Sequence, residues 1–404
     1  MTEENGSGPE IPAALLEKGA PLGWTAEIIG GFVAGGAPLA SIEQAIGAGM
    51  TPEVAARYAQ GPPPLDLSWM DVPTEWGVKV RPGKHGLRMD DLNVGSYSDI
   101  PDVWENQTEM PRGAHPLEGV TAMGYSIYEK QELWADNCGE LYEEAIQRRW
   151  SPAIDVPWDS IEPLPDELER AICQVCTELS ERGLLVVDVL GKWLPELSYG
   201  YHEVKTFLAT QIFEAGRAFE VFRKRALSNG GGLGIQSPAL YSRAILDARN
   251  YSEMSVLLHI LHTTQTIGFY RVLMRYAHNP AEATIFGFAL QDAGRHLAYG
   301  MEHLKFMLHK RPDRRPEIHT YLQKGEVMLE HDWQKDAPLR EALAIIMGGG
   351  LAGMQQGMDK LAWLRRLQIN EYLAALDYAG LNDRREKLRA EFKQYIEEPA
   401  AVTA

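Results

Sequence analysis

The sequence predicts an all-α protein, and two patterns carry that prediction. From Ile127 onward, apolar residues recur at intervals of three and four with charged residues between them, which is the spacing of helices that bury one face. Almost no stretch alternates apolar and polar residues as a half-buried strand would. A chain of 404 residues with 45% hydrophobic residues can bury an ordinary core, so we expect one main domain with added segments.

The composition argues against several classes of function. The formal net charge is −17 and no basic run is present, so we expect no binding to nucleic acid or to anionic membranes. No stretch is long and apolar enough to span a membrane, and the N-terminus lacks the pattern of a secretory signal. Three cysteines favour a reducing cytoplasm. Cys173 and Cys176 form a CxxC inside a helical pattern, where packing is the simpler interpretation and redox or metal chemistry the alternative.

Residues 1–60 are expected to form a small helical module. The stretch ASIEQAIGAGMTPEVAARYAQG contains two short helical patterns, with Thr51 as the cap and Pro52 in the first turn of the second. The layout resembles a helix-turn-helix in outline. Because Arg57 is the only cation of the second helix, we expect a docking module or a packed arm and not a DNA-binding domain.

Residues 61–125 are expected to form an irregular, proline-rich arm. The arm opens with GPPPLD and then shows no sustained periodicity. Its tryptophans, Trp69, Trp76 and Trp104, are costly to leave in water. We therefore expect the arm to lie on a surface of this chain or of a partner, with disorder as the alternative.

A bundle of long helices is predicted over residues 126–312, followed by a helical extension over 313–404. The first periodic segment, IYEKQELWADNCGELYEEAIQRRW, ends at the break SPAIDVPWDSIEPLP. The later helices are expected to begin at Asp166, to span His202–Leu227, Pro238–Ala248 and Glu253–Ala277, and to begin again at Pro280. The GGGLG run follows a helix and not a strand, so a left-handed helix stop is a better interpretation than a phosphate loop.

Two of these helices carry motifs of related form. They are EAGRAFEVFRKRA, within His202–Leu227, and QDAGRHLAYG, within the helix that begins at Pro280. In di-iron bundles, four facing helices supply two Glu-x-x-His pairs and two single glutamates. Residues three apart share a helix face, so one helix can offer a carboxylate and an imidazole to the same metal pair. Such oxygen and imidazole ligands suit iron, and open positions admit dioxygen.

The chain resembles the ferritin-like di-iron oxygenases, which include ribonucleotide reductase small subunits and the hydroxylase subunits of bacterial multicomponent monooxygenases. The resemblance covers residues 125–312 and is carried by LYEEAIQRRW, DVPWDSIEPLP, YHEVKTFLATQ and FRKRALSNGGGLG, which are typical of a bacterial set of ferritin-like proteins. It implies a ferritin-like four-helix bundle, here with extra N- and C-terminal helices.

The resemblance also implies where metal ligands would lie. The related families carry D-E-A-R-H in the second and fourth bundle helices, and this chain has EAGRA at 214–218 and DAGRH at 292–296. The two single glutamates would fall near one position in the first helix and one in the third. By this alignment the six ligand positions are occupied by Gly183, Ala215, Ala218, Thr263, Ala293 and His296. Five of the six ligands are therefore expected to be lost, and only the histidine is retained.

The rest of each motif survives as charged residues. These are Glu214 and Arg217 in the first motif, and Asp292 and Arg295 in the second. In metal-bearing relatives such groups orient the ligands. Small uncharged replacements at the ligand positions avoid stranding carboxylates in a dry bundle, so we expect the survivors to form buried hydrogen-bonded pairs. We expect His296 to be a core histidine bonded to a carboxylate, with a retained metal ligand as the alternative.

A displaced metal site is a further possibility. Glu214 and Asp292 precede the lost glutamate positions by one residue, so they are rotated by about 100° from the usual inward face. The alternative ligand set comprises Glu181, Glu214, His259, His262, Asp292 and His296, and Asp188 and Glu203 are two other possible donors. Within this set, His259 and His262 form an H-x-x-H pair on the third helix.

Three functions are compatible with these features. The first is a non-catalytic, metal-free subunit or scaffold without a cofactor, which pairs with itself or with a metal-bearing ferritin-like paralogue. The second is an oxygenase with a displaced di-iron or Mn/Fe site. The third is a binding protein for a hydrophobic small molecule in the vacated cavity. Aromatic residues that could line such a cavity are Phe269, Tyr270, Phe286, Phe288 and Tyr299.

Overall fold

The chain is helical wherever its structure is described. A computed structural model describes residues 11–59, 67–72, 76–104, 110–115 and 124–396. Within these ranges there are helices and three isolated β-bridges but no strand, which confirms the predicted all-α class. The chain divides into two compact units, Met1–Trp76 and Gly77–Ala404. The boundary falls inside the predicted arm, and residues 77–125 and the C-terminal extension belong to the same unit as the bundle.

The first unit contains four short helices. They are α1 (Ala13–Gly19), α2 (Ala26–Ala34), α3 (Leu39–Gly47) and α4 (Pro52–Ala59). Their core contains Trp24, Ile29 and Ile42, and the Trp24 indole donates a hydrogen bond to the Met50 carbonyl at 2.8 Å. Thr51 caps α4 and Pro52 is its first residue, as the sequence predicted. Of these four helices, the sequence had predicted only α3 and α4 individually.

The second unit is organised around four long helices. A short helix, α5 (Cys138–Gln147), precedes α6 (Asp166–Trp193) and α7 (His202–Ser228), which pack along each other. After the short α8 (Leu240–Leu246), the third long helix runs from Tyr251 to Arg275. The fourth long helix, α11 (Pro280–Lys310), packs along the C-terminal half of the third. Asn279 caps α11 by accepting a hydrogen bond from the Glu282 amide at 2.9 Å.

The third long helix contains a π-helical turn that the sequence did not predict. It consists of α9 (Tyr251–Ser255), a π segment (Val256–His262) and α10 (Thr263–Arg275). The Thr263 hydroxyl donates a hydrogen bond to the Leu258 carbonyl at 2.9 Å, which satisfies an acceptor of the widened turn. π turns inside α-helices are frequent at functional sites.

The C-terminal extension packs against the bundle. Its helices are α12 (Arg315–Lys335), α13 (Ala337–Gly348), α14 (Met354–Tyr378), α15 (Arg384–Lys387) and α16 (Ala390–Lys393). α13 contacts α6, and α14 contacts α10. Arg384 and Glu326 form a buried ion pair at 2.7 Å that ties α15 to α12. No helix of the described residues is long and apolar enough to cross a membrane.

The described part of the arm in this unit lies on the surface of its own bundle. Arg112 pairs with Glu203 at the start of α7 at 2.6 Å. Trp104 lies so close to Gly200 that a Cβ atom there would collide with the indole. Trp69 and Trp76, by contrast, belong to the first unit and are 67% and 96% exposed. The expectation of a surface-bound arm is therefore met at Trp104, while a partner's surface stays a prediction for Trp69 and Trp76.

A buried ion-pair network joins three long helices at one end of the bundle. Arg225 on α7 contacts Glu169 on α6 and Glu282 on α11, each at 2.7 Å. The nearby Cys173 and Cys176 are buried free cysteines, and burial raises the pKa of both thiols. Raised thiol pKa values leave little reactive thiolate, which favours the packing interpretation of the CxxC.

Removing the cation from this network should destabilise the bundle. We expect Arg225→Met to lower the free energy of unfolding by about 3–5 kcal/mol, because two buried carboxylates lose their partner. Lys224→Met is the control, since it breaks only an exposed pair with Glu220 and should cost at most about 1 kcal/mol. Urea denaturation of both variants measures the difference, and equal losses would contradict the assignment.

The same network should impose a pH dependence. Burial by itself would raise the pKa of Glu282, but hydrogen bonds from His278 and the charge of Arg225 lower it to about 2. A folded-state pKa below the unfolded one contributes stability that is lost as pH falls, here between pH 4.5 and about 2. As pH falls over this range, the free energy of unfolding should decrease less in Glu282→Gln than in the parent, with a difference on the order of 3 kcal/mol. Thermal unfolding at several pH values measures both decreases. Parallel pH profiles would contradict this expectation.

Candidate functional site

The centre of the bundle contains a small cavity. Its volume is about 50 Å³, which is room for a few water molecules. All four long helices line it. The six positions that the alignment assigned to metal ligands are all among its lining residues: Gly183, Ala215, Ala218, Thr263, Ala293 and His296. The structure therefore brings together residues that the sequence places more than a hundred positions apart.

Gly183 marks a close approach of α6 to α7. A Cβ atom on Gly183 would lie 2.8 Å from the Ala215 carbonyl oxygen and 2.9 Å from the Phe219 amide nitrogen. Both neighbours are backbone atoms, which cannot rotate away as the end of a side chain can. Position 183 therefore cannot carry a carboxylate side chain unless the two helices move apart.

Two buried carboxylates beside the cavity are held by arginines. Arg217 donates to Asp292 Oδ2 at 2.6 Å, and Arg295 donates to Asp292 Oδ1 at 2.5 Å. Arg295 also donates a short hydrogen bond to Glu214 Oε1. The Trp150 indole completes the set with a 2.9 Å hydrogen bond to Asp292 Oδ2. All four charged residues are at most 5% exposed. Both Asp292 oxygens and one Glu214 oxygen are thus occupied by donors.

His296 occupies the second Glu214 oxygen. Its Nε2 lies 2.7 Å from Glu214 Oε2, and because a carboxylate accepts, Nε2 carries the proton. Burial would raise the pKa of Glu214, but the hydrogen bond and charge of His296, together with Arg295, lower it. Burial and the charge of Glu214 raise the pKa of Asp292, and Arg217 and Arg295 offset this only in part. Glu214 is therefore the firmly ionised member of the pair.

This network, defined as Glu214, Arg217, Asp292, Arg295, His296 and Trp150, balances its own charge. Two carboxylates face two guanidinium groups, so these four charges cancel. The Arg217 guanidinium also lies 4.6 Å above the Trp150 ring. Removing one partner of such a network is costly, because an uncompensated charge would remain in the interior.

The donors of the proposed displaced metal site are not gathered in one place. His262, Glu214, Asp292 and His296 line the central cavity, but Glu181 lines a different one. His259 is fully buried within the π turn, where it donates to Gln211 and accepts from Ser255. Burial lowers its pKa well below the usual value, which keeps the imidazole neutral.

The remaining donor candidates lie elsewhere. Asp188 is exposed, and Glu203 is paired with Arg112 outside the bundle centre. Across the described ranges, no group of three or more His, Cys, Asp and Glu side chains is arranged to hold a metal ion. A dinuclear iron or Mn/Fe centre requires several carboxylates free to bind metal. The side chains present here do not fit that requirement, because both central carboxylates are engaged by arginine.

The cavity is also small for an organic ligand. Ligand pockets usually enclose about 300–1,000 Å³. Of the five aromatic residues expected to line a vacated pocket, only Tyr270 lines this cavity. Phe288 stacks on Trp150, and Tyr299 is hydrogen-bonded to Tyr251 at 2.7 Å. Phe269 and Phe286 line other cavities.

Comparisons with known proteins give a likeness in fold only. No protein-family model matches the chain, and no curated protein matches it. Among solved structures, an R2-like ligand-binding oxidase with a reconstituted Mn/Fe cofactor matches at 14% identity over 61% of this chain and 93% of its own, with a TM-score of 0.39. A variant of such an oxidase matches at 15% identity over 64% of this chain and 93% of its own, with a TM-score of 0.38. Values this low transfer no activity, cofactor or partner to this chain.

The close approach at Gly183 predicts an asymmetry between two glycines of α6. We expect Gly183→Ala to lower the free energy of unfolding by about 1–3 kcal/mol, because its Cβ would push α6 away from α7. Gly191→Ala is the control: a Cβ there meets nothing within 4 Å, so it should be neutral or stabilise by up to about 1 kcal/mol. Chemical denaturation distinguishes them, and a neutral Gly183→Ala would show that the two helices can separate freely.

Proposed function

We propose that this chain is a non-catalytic, metal-free ferritin-like bundle that serves as the partner subunit of a metal-bearing paralogue. The observation that supports this proposal best is the network at the bundle centre. Glu214 and Asp292 have their oxygens bonded to Arg217, Arg295, His296 and Trp150. Groups in such a network are fixed in place and cannot act as labile ligands.

Energetics support the same proposal. A divalent metal at this position would have to take Glu214 from Arg295 and His296. The guanidinium group released from its carboxylate would then be a buried, unpaired charge, which costs several kcal/mol. A second ligand cannot come from position 183, where α6 touches α7. The proposal therefore carries no metal-dependent or oxygen-dependent step for this chain.

Exposed apolar side chains support a role as a subunit. Phe213 on α7 is 64% exposed, and Ile154 in the loop after α5 is 83% exposed. The Arg217 guanidinium lies 5.4 Å from the Phe213 ring and 4.6 Å from the Trp150 ring. Phe213 is therefore directly adjacent to the central network. We therefore expect the partner to bind where this exposed phenylalanine lies beside the network.

Metal analysis tests the metal-free part of the proposal. Protein produced with iron and manganese in excess should retain less than roughly a tenth of a metal ion per chain after gel filtration, because the site offers no free ligand set. Elemental analysis and electron paramagnetic resonance provide the measurements. Stoichiometric iron or manganese, lost in the variant His296→Ala, would instead support the displaced oxygenase site.

Affinity capture from the native source tests the subunit part. We expect a ferritin-like paralogue with an intact D-E-A-R-H motif to co-purify and to be identified by mass spectrometry. Phe213→Ser should abolish its retention, because the exposed ring is expected at the interface. Leu351→Ser is the matched control, since Leu351 is a comparably exposed apolar residue in the joint before α14. A stable monomer, or an assembly of this chain alone, would contradict the proposal.

A further inference from the structure

A second enclosed cavity lies between the bundle and the C-terminal extension. Its volume is about 40 Å³, and α6, α10, α12, α13 and α14 contribute to its lining. Three of its lining residues are Arg182, Gln265 and Arg365. Each of these three side chains is buried or half-buried and has hydrogen-bonding groups that no described residue engages.

Arg365 is a buried cation without a carboxylate partner. It is 8% exposed, its guanidinium lies 3.9 Å from the Trp333 ring, and it donates to Gln368 Oε1 at 2.9 Å. In the described part of the chain it forms no ion pair, in contrast to the buried Arg225 and Arg384. Burial lowers its pKa to about 9. A buried guanidinium without a counter-ion is costly unless something else supplies the negative charge.

Gln265 presents an unpaired amide to the same cavity. The residue is 1% exposed, and neither its Oε1 nor its Nε2 has a hydrogen-bond partner. It is fixed next to Arg365 by Gln368, whose Nε2 donates to the Gln265 carbonyl at 2.9 Å. Gln368 reaches this position because it lies directly on Gly268, where any Cβ would collide with it. A buried amide without partners is rare and points to a missing one.

Arg182 contributes a third set of donors. Its Nε donates to Glu178 at 3.0 Å, while its buried Nη1 has no partner. Its guanidinium lies 4.8 Å from the Phe269 ring. Two guanidinium groups, each oriented by an aromatic face, thus line one small cavity. Arginine forks in this arrangement are suited to planar oxyanions.

The carboxylates around the cavity are already engaged. Asp332 accepts from the Tyr241 amide at 2.9 Å, and Asp336 accepts from the Ser237 hydroxyl at 2.8 Å. Burial raises the pKa of both Glu178 and Glu181, and the charge of Glu178 raises the pKa of Glu181 further. The groups left unpaired are therefore mainly donors, which a cation would not satisfy.

We propose that this cavity binds a small anion with a planar O–C–O group, of the size of formate, acetate or bicarbonate. Its oxygens would accept from Arg365, from Arg182 Nη1 and from the Gln265 amide. A volume of about 40 Å³ corresponds to about three or four heavy atoms and excludes an aromatic acid. The anion contacts α6, α10 and α14, so it ties the C-terminal extension to the bundle.

Ligand-dependent thermal unfolding of the full chain tests this site. Formate, acetate and bicarbonate are compared with chloride at matched pH and ionic strength, and benzoate serves as the oversized acid. At a concentration a hundredfold above Kd, the preferred anion should raise Tm by about 2–5 °C relative to chloride. The anion among these three that raises Tm most shows whether the site prefers a carboxylate or bicarbonate. Equal effects of all salts, or an equal effect of benzoate, would overturn the proposal.

Variants locate the binding in this cavity. Arg365→Met should weaken binding of the preferred anion at least tenfold by calorimetry, and without the anion it should fold as well as the parent, because it removes an unpaired charge. Gln265→Met tests the site independently and should also weaken binding. Arg366→Met, at the exposed neighbouring position, should bind as the parent does. Undiminished binding by Arg365→Met and Gln265→Met would place the anion elsewhere and refute the assignment.

Discussion

The bundle centre depends on the way in which two carboxylates are neutralised. Glu214 and Asp292 lie on different long helices, and Arg295 bridges them while Arg217 crosses from α7 to α11. A pair of carboxylates at this depth needs either cations or protons to remain buried. Here the cations come from the same helices, so the network balances its charge within the chain, while Arg217 Nε and Arg295 Nε and Nη1 have no hydrogen-bond partner.

The rest of the centre is shaped by small residues. Ala215, Ala218 and Ala293 leave a cavity of only about 50 Å³, and Gly183 allows the backbones of α6 and α7 to touch. On the other side, Gly300 of α11 packs on the π turn, where a Cβ would lie 2.5 Å from His259 Cβ. Charge neutralisation and close packing thus act together, because the helices approach so closely at Gly183 and Gly300 that neither position has room for a side chain.

Helix positions were largely predictable from the sequence, because caps and proline mark them. Pro280 begins α11 as predicted, and the third long helix begins two residues before the predicted Glu253 because the Asn250 side chain caps it. The π turn was missed, since a widened turn has no periodicity of its own. In the first unit, α3 and α4 were predicted from the Thr51-Pro52 cap and the glycine break before it, whereas α1 and α2 were not predicted individually.

The residues of the candidate site were predictable from the sequence, but the hydrogen bonds between them were not. Residues three apart on a helix share a face, so spacing places Glu214 with Arg217 and Asp292 with Arg295. Spacing within one helix cannot reveal that Arg295 reaches across to Glu214. Trp150 was missed as a donor to Asp292, although it ends a segment that carried the resemblance. The unpaired Arg365 was missed as well, because an absent partner leaves no trace in a sequence.

A double-mutant cycle on Arg295 and Glu214 tests the central claim most directly. Unfolding free energies of Arg295→Met, Glu214→Gln and the double variant give the coupling between the two side chains. If the cross-bundle network holds the centre, the coupling should be about 2–3 kcal/mol. The double variant should then lose less stability than the sum of the losses of the two single variants. A coupling below about 0.5 kcal/mol would show that the two groups act independently and that the network does not organise the bundle centre.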